Sequence, residues 1–446
     1  MNSASYDSIG NARDDQKSTK EGIAVNLKKH RRDVGTTNIF VPGAADKLFF
    51  GLVLLLLAIG LIMLLSASFP SAYYELGDPT YYFVRQGRFA ALGVLCMTVI
   101  SWMDYHQLKK VAKPLLLFSI LLLVIVLIPG VGVVRNHARR WISLGGLGTF
   151  QPSELAKLAV IIDFSTTIAF KKDRMATWKY GVAPYLKALL PIMFLMSREP
   201  HLSGALLIFG VGAELLFAGG ISWKWVSFAA LSGGCGIAVL LSGLLPYGQS
   251  RIAMWKDPFI DAEGAGYQLS QSLISIGSGG LTGLGLGRSR QKYLFLPEEH
   301  NDFIFSIVCE ELGLVGATII MLLFACLILQ GFQIALRAKD RFGSLLVVGI
   351  VSLLAMQTFM NIGVVTGLIP TTGVALPFFS YGGTALFLQL VEMGIVLSVS
   401  RQAKPERGKK ISGKRKISGN IPEFRKAESD PIAEDNKTGT KGGHRR

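Results

Sequence analysis

The chain alternates long apolar blocks with short polar connectors, and the blocks are too uniform to be the stripes of amphipathic helices. "LFFGLVLLLLAIGLIMLLSA" from Leu48 and "PLLLFSILLLVIVLIPGVGVV" from Pro114 show the pattern. A soluble protein of this size would confine its apolar residues to one helix face. A bilayer core of ~30 Å needs about 20 apolar residues in a helix, which is the length of these blocks. Ten such segments are predicted, centred near residues 58, 96, 124, 162, 191, 210, 235, 317, 355 and 388. Only the polar "SREPH" from Ser197 to His201 separates the fifth from the sixth. The predicted fold is all-α: a polytopic membrane protein with ten transmembrane helices over residues 47–400. A large loop, residues 247–302, joins the seventh helix to the eighth.

The connectors predict an orientation. "DYHQLKKVAK" after the second segment, "KKDRMATWKYGVAPYLK" after the fourth and "RAKDR" after the eighth are basic. Lys and Arg in short loops mark the cytoplasmic side, so both termini are expected in the cytoplasm and the 247–302 loop outside. That loop has 5 Lys/Arg against 6 Asp/Glu. Arg135, Arg139 and Arg140 also fall outside, against the rule, and an anionic substrate would explain the exception.

The formal charge of +16 changes the picture little. From Arg401 to Arg446 there are 14 Lys/Arg and 6 Asp/Glu, so much of the excess sits in one polar tail. That tail and the leader, residues 1–46, are poor in aromatics and expected to be disordered and cytoplasmic. The tail's expected partner is the anionic inner leaflet, or else a soluble cytoplasmic protein, and not nucleic acid. Cys96, Cys235, Cys309 and Cys326 lie inside apolar blocks without CxxC spacing, as small core residues would, and indicate neither a metal site nor a disulfide frame.

Charges within the segments are costly and usually face the bundle interior. They are Glu154, Lys157, Asp163, Glu214, Glu310, Glu311 and Glu392. Glu154 and Lys157, three apart, share a helix face and can pair. Glu310 and Glu311 read as structural. "LPEEHNDFIF", Leu296 to Phe305, sets Glu298, Glu299, His300 and Asp302 on the lip of an apolar run. Asp302 can cap that helix, act as a general base, or both. Upstream, glycines 279, 280, 283, 285 and 287 lack Walker spacing and instead imply close backbone packing. "YQLSQSLISIG" before them predicts a short helix lying on the membrane.

"RRWISLGGLGTFQPSELAKL", "LPEEHNDFIFSIVCEELGLVG" and "NIGVVTGLIPTTGVALPFFSYGGTAL" together resemble the signatures of the bacterial SEDS family (shape, elongation, division and sporulation). The resemblance spans about residues 45–400 and is closest to the FtsW/SpoVE branch. It implies ten transmembrane helices and a peptidoglycan glycosyltransferase of the cytoplasmic membrane. Such an enzyme polymerises lipid II beside a class B penicillin-binding protein and other division proteins. It also implies roles by position: Asp302 as the essential carboxylate, Glu298 as its motif glutamate, Arg140 of Arg-Trp-Ile, and Gln151, Glu154 and Lys157 of Gln-Pro-x-Glu-Leu-x-Lys. Two places depart from the family pattern. "EPHLSG" at 199–204 stands where Gln-Pro-Asp-Leu-Gly-Thr is expected, putting His201 in place of Asp, and His137 stands where Gly is usual.

Lipid II joins a membrane-embedded tail to a diphosphate and sugars. A site for it needs cations at headgroup level, an apolar groove and a carboxylate just outside the bilayer. Arg139, Arg140 and Lys157 with Asp302 supply that set, and Lys292 joins the substrate-binding candidates. Asp302 would accept the proton of the acceptor's 4-hydroxyl while Arg140 or Lys157 offsets charge on the departing diphosphate. A divalent cation, Mg or Mn, could share that task, although no ligand cluster demands one. A lipid II flippase and a non-enzymatic scaffold recruiting a transpeptidase are the alternative readings.

Overall fold

A computed structural model of the chain describes residues 43–403 except 136–137, 144, 146–147, 200, 226, 228–252 and 265. Ten main helices are described: α1 (Lys47–Leu76), α2 (Tyr81–Trp102), α3 (Leu108–Leu127), α4 (Pro152–Lys171), α5 (Ala183–Arg198), α6 (Leu202–Ala218), α7 (Tyr267–Gly279), α8 (Ile304–Arg337), α9 (Arg341–Val365) and α10 (Gly383–Arg401). All except α7 fall on predicted segments. The predicted segment near residue 235, with Cys235, lies outside the described residues, as do most of the leader, the tail beyond residue 403 and His137.

Seven helices among the described residues are long and apolar enough to cross a membrane. The others are instructive. α6 is apolar but short, at 17 residues. α4 carries Glu154, Lys157 and Asp163, more charge than a lipid-facing helix tolerates. It is instead the inner helix: 13 of its 20 residues are buried, and α3, α6 and α9 pack around it. Pro152 opens α4, where its missing N–H costs nothing, and Glu154 lies in the first turn, where the helix dipole favours an acid. α1 packs on α2 and α8, and α2 runs along α10.

The chain enters and leaves this bundle at one end. The Asp46 amide donates to Ser400 Oγ at 3.1 Å, Gln330 Nε2 to Asp46 Oδ2 at 2.6 Å, and Arg401 Nε to the Ser101 carbonyl at 2.9 Å. At the opposite end lies a small antiparallel sheet that the all-α expectation lacked: β1 (Gly132–Arg135), β2 (Ala138–Ser143) and β3 (Thr149–Phe150), in the order β1-β2-β3. Apolar alternation in so short a hairpin is drowned by the flanking helical blocks, so the hydrophobic pattern alone could not reveal it.

The glycine-rich stretch performs the packing its composition implied. α8 is broken at Gly313, whose φ of 67° and ψ of −172° are non-helical. The freed backbone groups are met by the loop that follows α7. Leu284 and Gly285 amides donate to the Glu310 and Glu311 carbonyls at 2.9 and 3.0 Å, and Leu314 and Val315 amides donate to the Gly280 and Leu281 carbonyls at 2.9 and 3.1 Å. Backbone can approach backbone this closely only without side chains: a Cβ on Gly283 would stand 2.2 Å from the Glu311 carbonyl oxygen. α7 is docked by serines and not merely laid on a surface. The Ser272 and Ser306 hydroxyls are 2.8 Å apart, and Ser272 donates to the Val365 carbonyl at 2.7 Å.

Gly313→Ala should therefore lower the stability of the detergent-solubilised protein by more than the ~1–3 kcal/mol of left-handed strain alone, because its Cβ would also meet Gly283 N at 2.3 Å. A half-buried glycine such as Gly87, whose Cβ would meet nothing within 4 Å, serves as the control. Equal thermal midpoints for the two alanine variants would contradict the backbone splice described above.

Candidate active site

Asp302 sits in the turn before α8 and does not cap that helix. Phe303 occupies the cap position with no side-chain cap bond. Backbone carbonyls do the work instead: the Phe303 amide donates to Glu298 at 3.3 Å and the Ser306 amide to Phe303 at 3.0 Å. The capping role expected for Asp302 is thus corrected, and its carboxyl group is left for other use. The turn depends on Glu298, which adopts a φ of 57°, rare for a residue with a side chain, and accepts a hydrogen bond from Asn301 Nδ2.

The turn is braced by the stretch between α9 and α10. Asn361 Nδ2 donates to the Asp302 carbonyl and to the Val374 carbonyl, both at 2.7 Å. Ser380 Oγ donates to the Asn301 carbonyl at 2.7 Å, and the Tyr381 amide to the His300 carbonyl at 2.9 Å. The His300 ring stacks on Tyr82 of α2, with centroids 4.4 Å apart, while its Nδ1 lies 3.2 Å from buried Glu299. Gly373 lies against the Asp302 carboxylate: a Cβ there would sit 3.1 Å from Oδ2. The backbone of the acid is fixed before any substrate arrives.

Arg140, on β2, is the cation of this site. Its Nε donates to the Glu199 carbonyl at 3.3 Å. Its charge also acts on the Asp302 carboxyl. Burial, reinforced by Glu298, pushes Asp302 up to about 6 against the pull of Arg140 and His300. Two residues of the departed motif share this corner. Glu199, at the C-terminal end of α5, is fully buried, and burial pushes its carboxyl up to about 8 despite Arg140. His201 is pushed down to about 3 by burial and by the charges of Arg140 and Lys157, which keeps its ring neutral. Ser203 Oγ donates to the Thr372 carbonyl, tying this segment to the stretch that faces Asp302.

The remaining predicted residues divide. Lys157 is buried and ion-paired with Glu154 at 2.7 Å, as their spacing allowed. Glu392 of α10 lies within electrostatic reach of both, so Lys157 is already balanced by acids. Arg139 neighbours Arg140 in β2 and pairs opposite Val134 in the ladder, whereas Arg140 is the extra residue of a β-bulge between Arg139 and Trp141. Gln151 is half-buried, and its carbonyl accepts the Glu154 amide at 3.1 Å as α4 begins. Lys292 requires correction. It is buried and committed to Glu311 at 2.9 Å and to Ser66 Oγ at 3.1 Å, a network that also supports the broken helix. Glu310, expected to be structural, accepts from the Arg290 amide at 2.9 Å and from Ser275 Oγ at 3.2 Å. Among the described residues no cluster of three or more His, Cys, Asp or Glu side chains is arranged to hold a metal ion. The sequence-based reading missed Glu199, although it marked the segment as aberrant. It also missed the bracing by Asn361, which opens the third signature.

Residues 46–405 match the family model for the FtsW, RodA and SpoVE cell cycle proteins. The chain belongs to this family. It is 42% identical over 360 residues to stage V sporulation protein E of Bacillus subtilis (strain 168), covering 80% of this chain and 98% of that one. It is 40% identical to the probable peptidoglycan glycosyltransferase FtsW of Geobacter metallireducens, covering 80% and 96%. Among solved structures, a chain of a peptidoglycan synthase complex coordinating polymerization and crosslinking superposes with a TM-score of 0.67 at 30% identity, covering 80% and 98%. The rod shape determining protein RodA of Thermus thermophilus superposes with a TM-score of 0.60 at 29% identity, covering 81% and 99%. With its apolar helices, this membership makes the chain a multi-pass membrane protein.

Because Lys292 and Glu311 are buried as a pair, removing one charge leaves the other stranded. Lys292→Met or Glu311→Gln should each cost about 3–5 kcal/mol, and the double substitution less than either single one. Thermal melts of the three variants decide this. If Lys292→Met folds normally and only weakens substrate binding, the lysine belongs to the substrate site after all.

Proposed function

We propose that the chain is a peptidoglycan glycosyltransferase that polymerises lipid II into glycan strands, with Asp302 as general base. What carries the reading is the convergence of three distant signature segments on one carboxyl group. Arg140 from the first acts on Asp302 from the second, whose backbone is held by Asn361 from the third. The names of the sporulation and division relatives, and the synthase complex among the structural neighbours, point the same way.

The chemistry follows from the groups present. The acceptor's 4-hydroxyl attacks the anomeric carbon of the donor sugar, its proton passes to Asp302, and the bond from that carbon to the lipid diphosphate breaks. A base whose pKa lies near 6 is mostly ionised at neutral pH and still basic enough to take a proton in the transition state. Arg140 offsets the charge that grows on the departing diphosphate. The end of the bundle bearing Asp302 faces outward in this reading, and the shared entry and exit end, with both termini, faces the cytoplasm. A class B penicillin-binding protein is the proposed partner, in keeping with the synthase complex.

Asp302→Asn tests the base. Asn keeps the shape, Asn361 holds only the main chain at 302, and no cap is lost. Strand formation from labelled lipid II in detergent should fall by ~10²–10⁴-fold. The folded carboxyl is raised above its unfolded value of 3.8, so it contributes stability below that pH and loses it as pH rises through about 6. The Asn variant, which cannot ionise, should accordingly melt no lower than wild type at pH 7. Wild-type activity should fall as pH drops through about 6, where the base becomes protonated. Translocation without polymer would support a flippase, and neither activity a scaffold.

Activity should not need the basic tail. A chain ending at residue 403 should insert and polymerise within about twofold of wild type, because the proposed site lies at the opposite end of the bundle. A stably inserted but inactive truncation would move part of the function into the tail.

A further inference from the structure

Glu199 has no structural reason to be an acid. Its side chain is 0% exposed, and neither carboxylate oxygen has a hydrogen-bond partner among the described residues. A charge buried without partners is strongly unfavourable, and an amide of the same size would avoid that cost. His201 Nδ1 also lacks a partner among the described residues, and the ring packs against Gly204, where a Cβ would stand 2.5 Å from Cε1.

The place of Glu199 is set by two connections. Arg140 donates to the Glu199 main chain at 3.3 Å, and its charge reaches the Glu199 carboxyl as well as Asp302. Ser203 holds the Thr372 carbonyl, and the next residue, Gly373, abuts the Asp302 carboxylate. Glu199 is thus sealed from solvent beside the cation whose charge reaches the proposed reaction centre.

We propose that Glu199 is a positioning residue for the substrate's diphosphate: protonated, it leaves the Arg140 charge to the phosphates, and ionised, it competes for that charge. The proposal rests on the polymerase reading for the identity of the anion. Burial holds the Glu199 carboxyl near 8, so the proton is present at neutral pH and is lost in mild alkali. The other groups facing this corner do not titrate in the same way. From α4, Lys157 is paired with Glu154, and from α10 Glu392 faces that pair. His201 is held neutral, and in the turn before α8 Asp302, influenced by Glu298 and His300, loses its proton two pH units lower, near 6.

The test is equilibrium binding of undecaprenyl diphosphate to the full-length protein in detergent between pH 7 and 9, for wild type and Glu199→Gln. Titration of the ligand is common to both proteins and cancels in the comparison. Wild-type affinity should weaken roughly tenfold across this range, the loss of about one charge-assisted contact. The Gln variant, which keeps the size and removes the unpartnered carboxyl, should fold and bind with affinity independent of pH relative to that baseline. In strand formation the same difference should appear in KM, with kcat little changed. A purely structural role would shift the thermal midpoint and leave this pH dependence intact. Infrared difference spectra between the two proteins should show a protonated carboxyl band at pH 7 that disappears with a midpoint near 8. Parallel binding curves, or the absence of that band, overturn the proposal. Diphosphate binding that behaves as described in a protein making no glycan would overturn the polymerase reading alone.

Discussion

Backbone that leaves a helix inside an apolar bundle must find hydrogen-bond partners within the protein, because lipid offers none. Much of this molecule is arranged around that requirement. At Gly313 a break in α8 is closed by the loop after α7, backbone to backbone, and the closure needs glycine at both contact points. In the turn before α8, the same requirement is met by Asn361, Ser380 and the Tyr381 amide. The consequence is that irregular chain at this end is as fixed as helix, and the carboxyl of Asp302 inherits a defined position.

Charge follows the same logic with a different outcome. Lys292 with Glu311 and Lys157 with Glu154 are buried as pairs, and their partners account for them. Asp302 and Glu199 are not satisfied in this way, and both are displaced toward their protonated forms, the mark of groups placed for chemistry more than for stability. Arg140 couples the two. An apolar bundle that tolerates such acids at one end forgoes stability there, and the surrounding network of backbone contacts is what keeps the end folded.

The helical frame was legible in the sequence because a membrane-length apolar block has few alternative structures, and α1, α3 and α8 fall where the pattern set them. The 154/157 pair was legible because helix geometry converts a spacing of three directly into contact. The signatures also picked out Asp302 and Arg140, which the fold brings within electrostatic reach of each other, although nothing local joins residues 140, 302 and 361. The β-hairpin was masked by the apolar blocks that flank it, while the α8 break and the docking of α7 by serines were not legible because each depends on hydrogen bonds between segments far apart in the chain. The clearest misassignments were of the same kind. Asp302 stands where a cap belongs, yet neighbouring carbonyls satisfy the helix start. Lys292 lies in the expected outer loop, yet folds inward onto Glu311. Local periodicity and residue type are properties of a few consecutive residues, so the sequence by itself determined the helices, their order and the candidate groups. Which acid is paired, which is left to ionise and which cation faces it depend on distances between remote segments, and only the tertiary structure decided those.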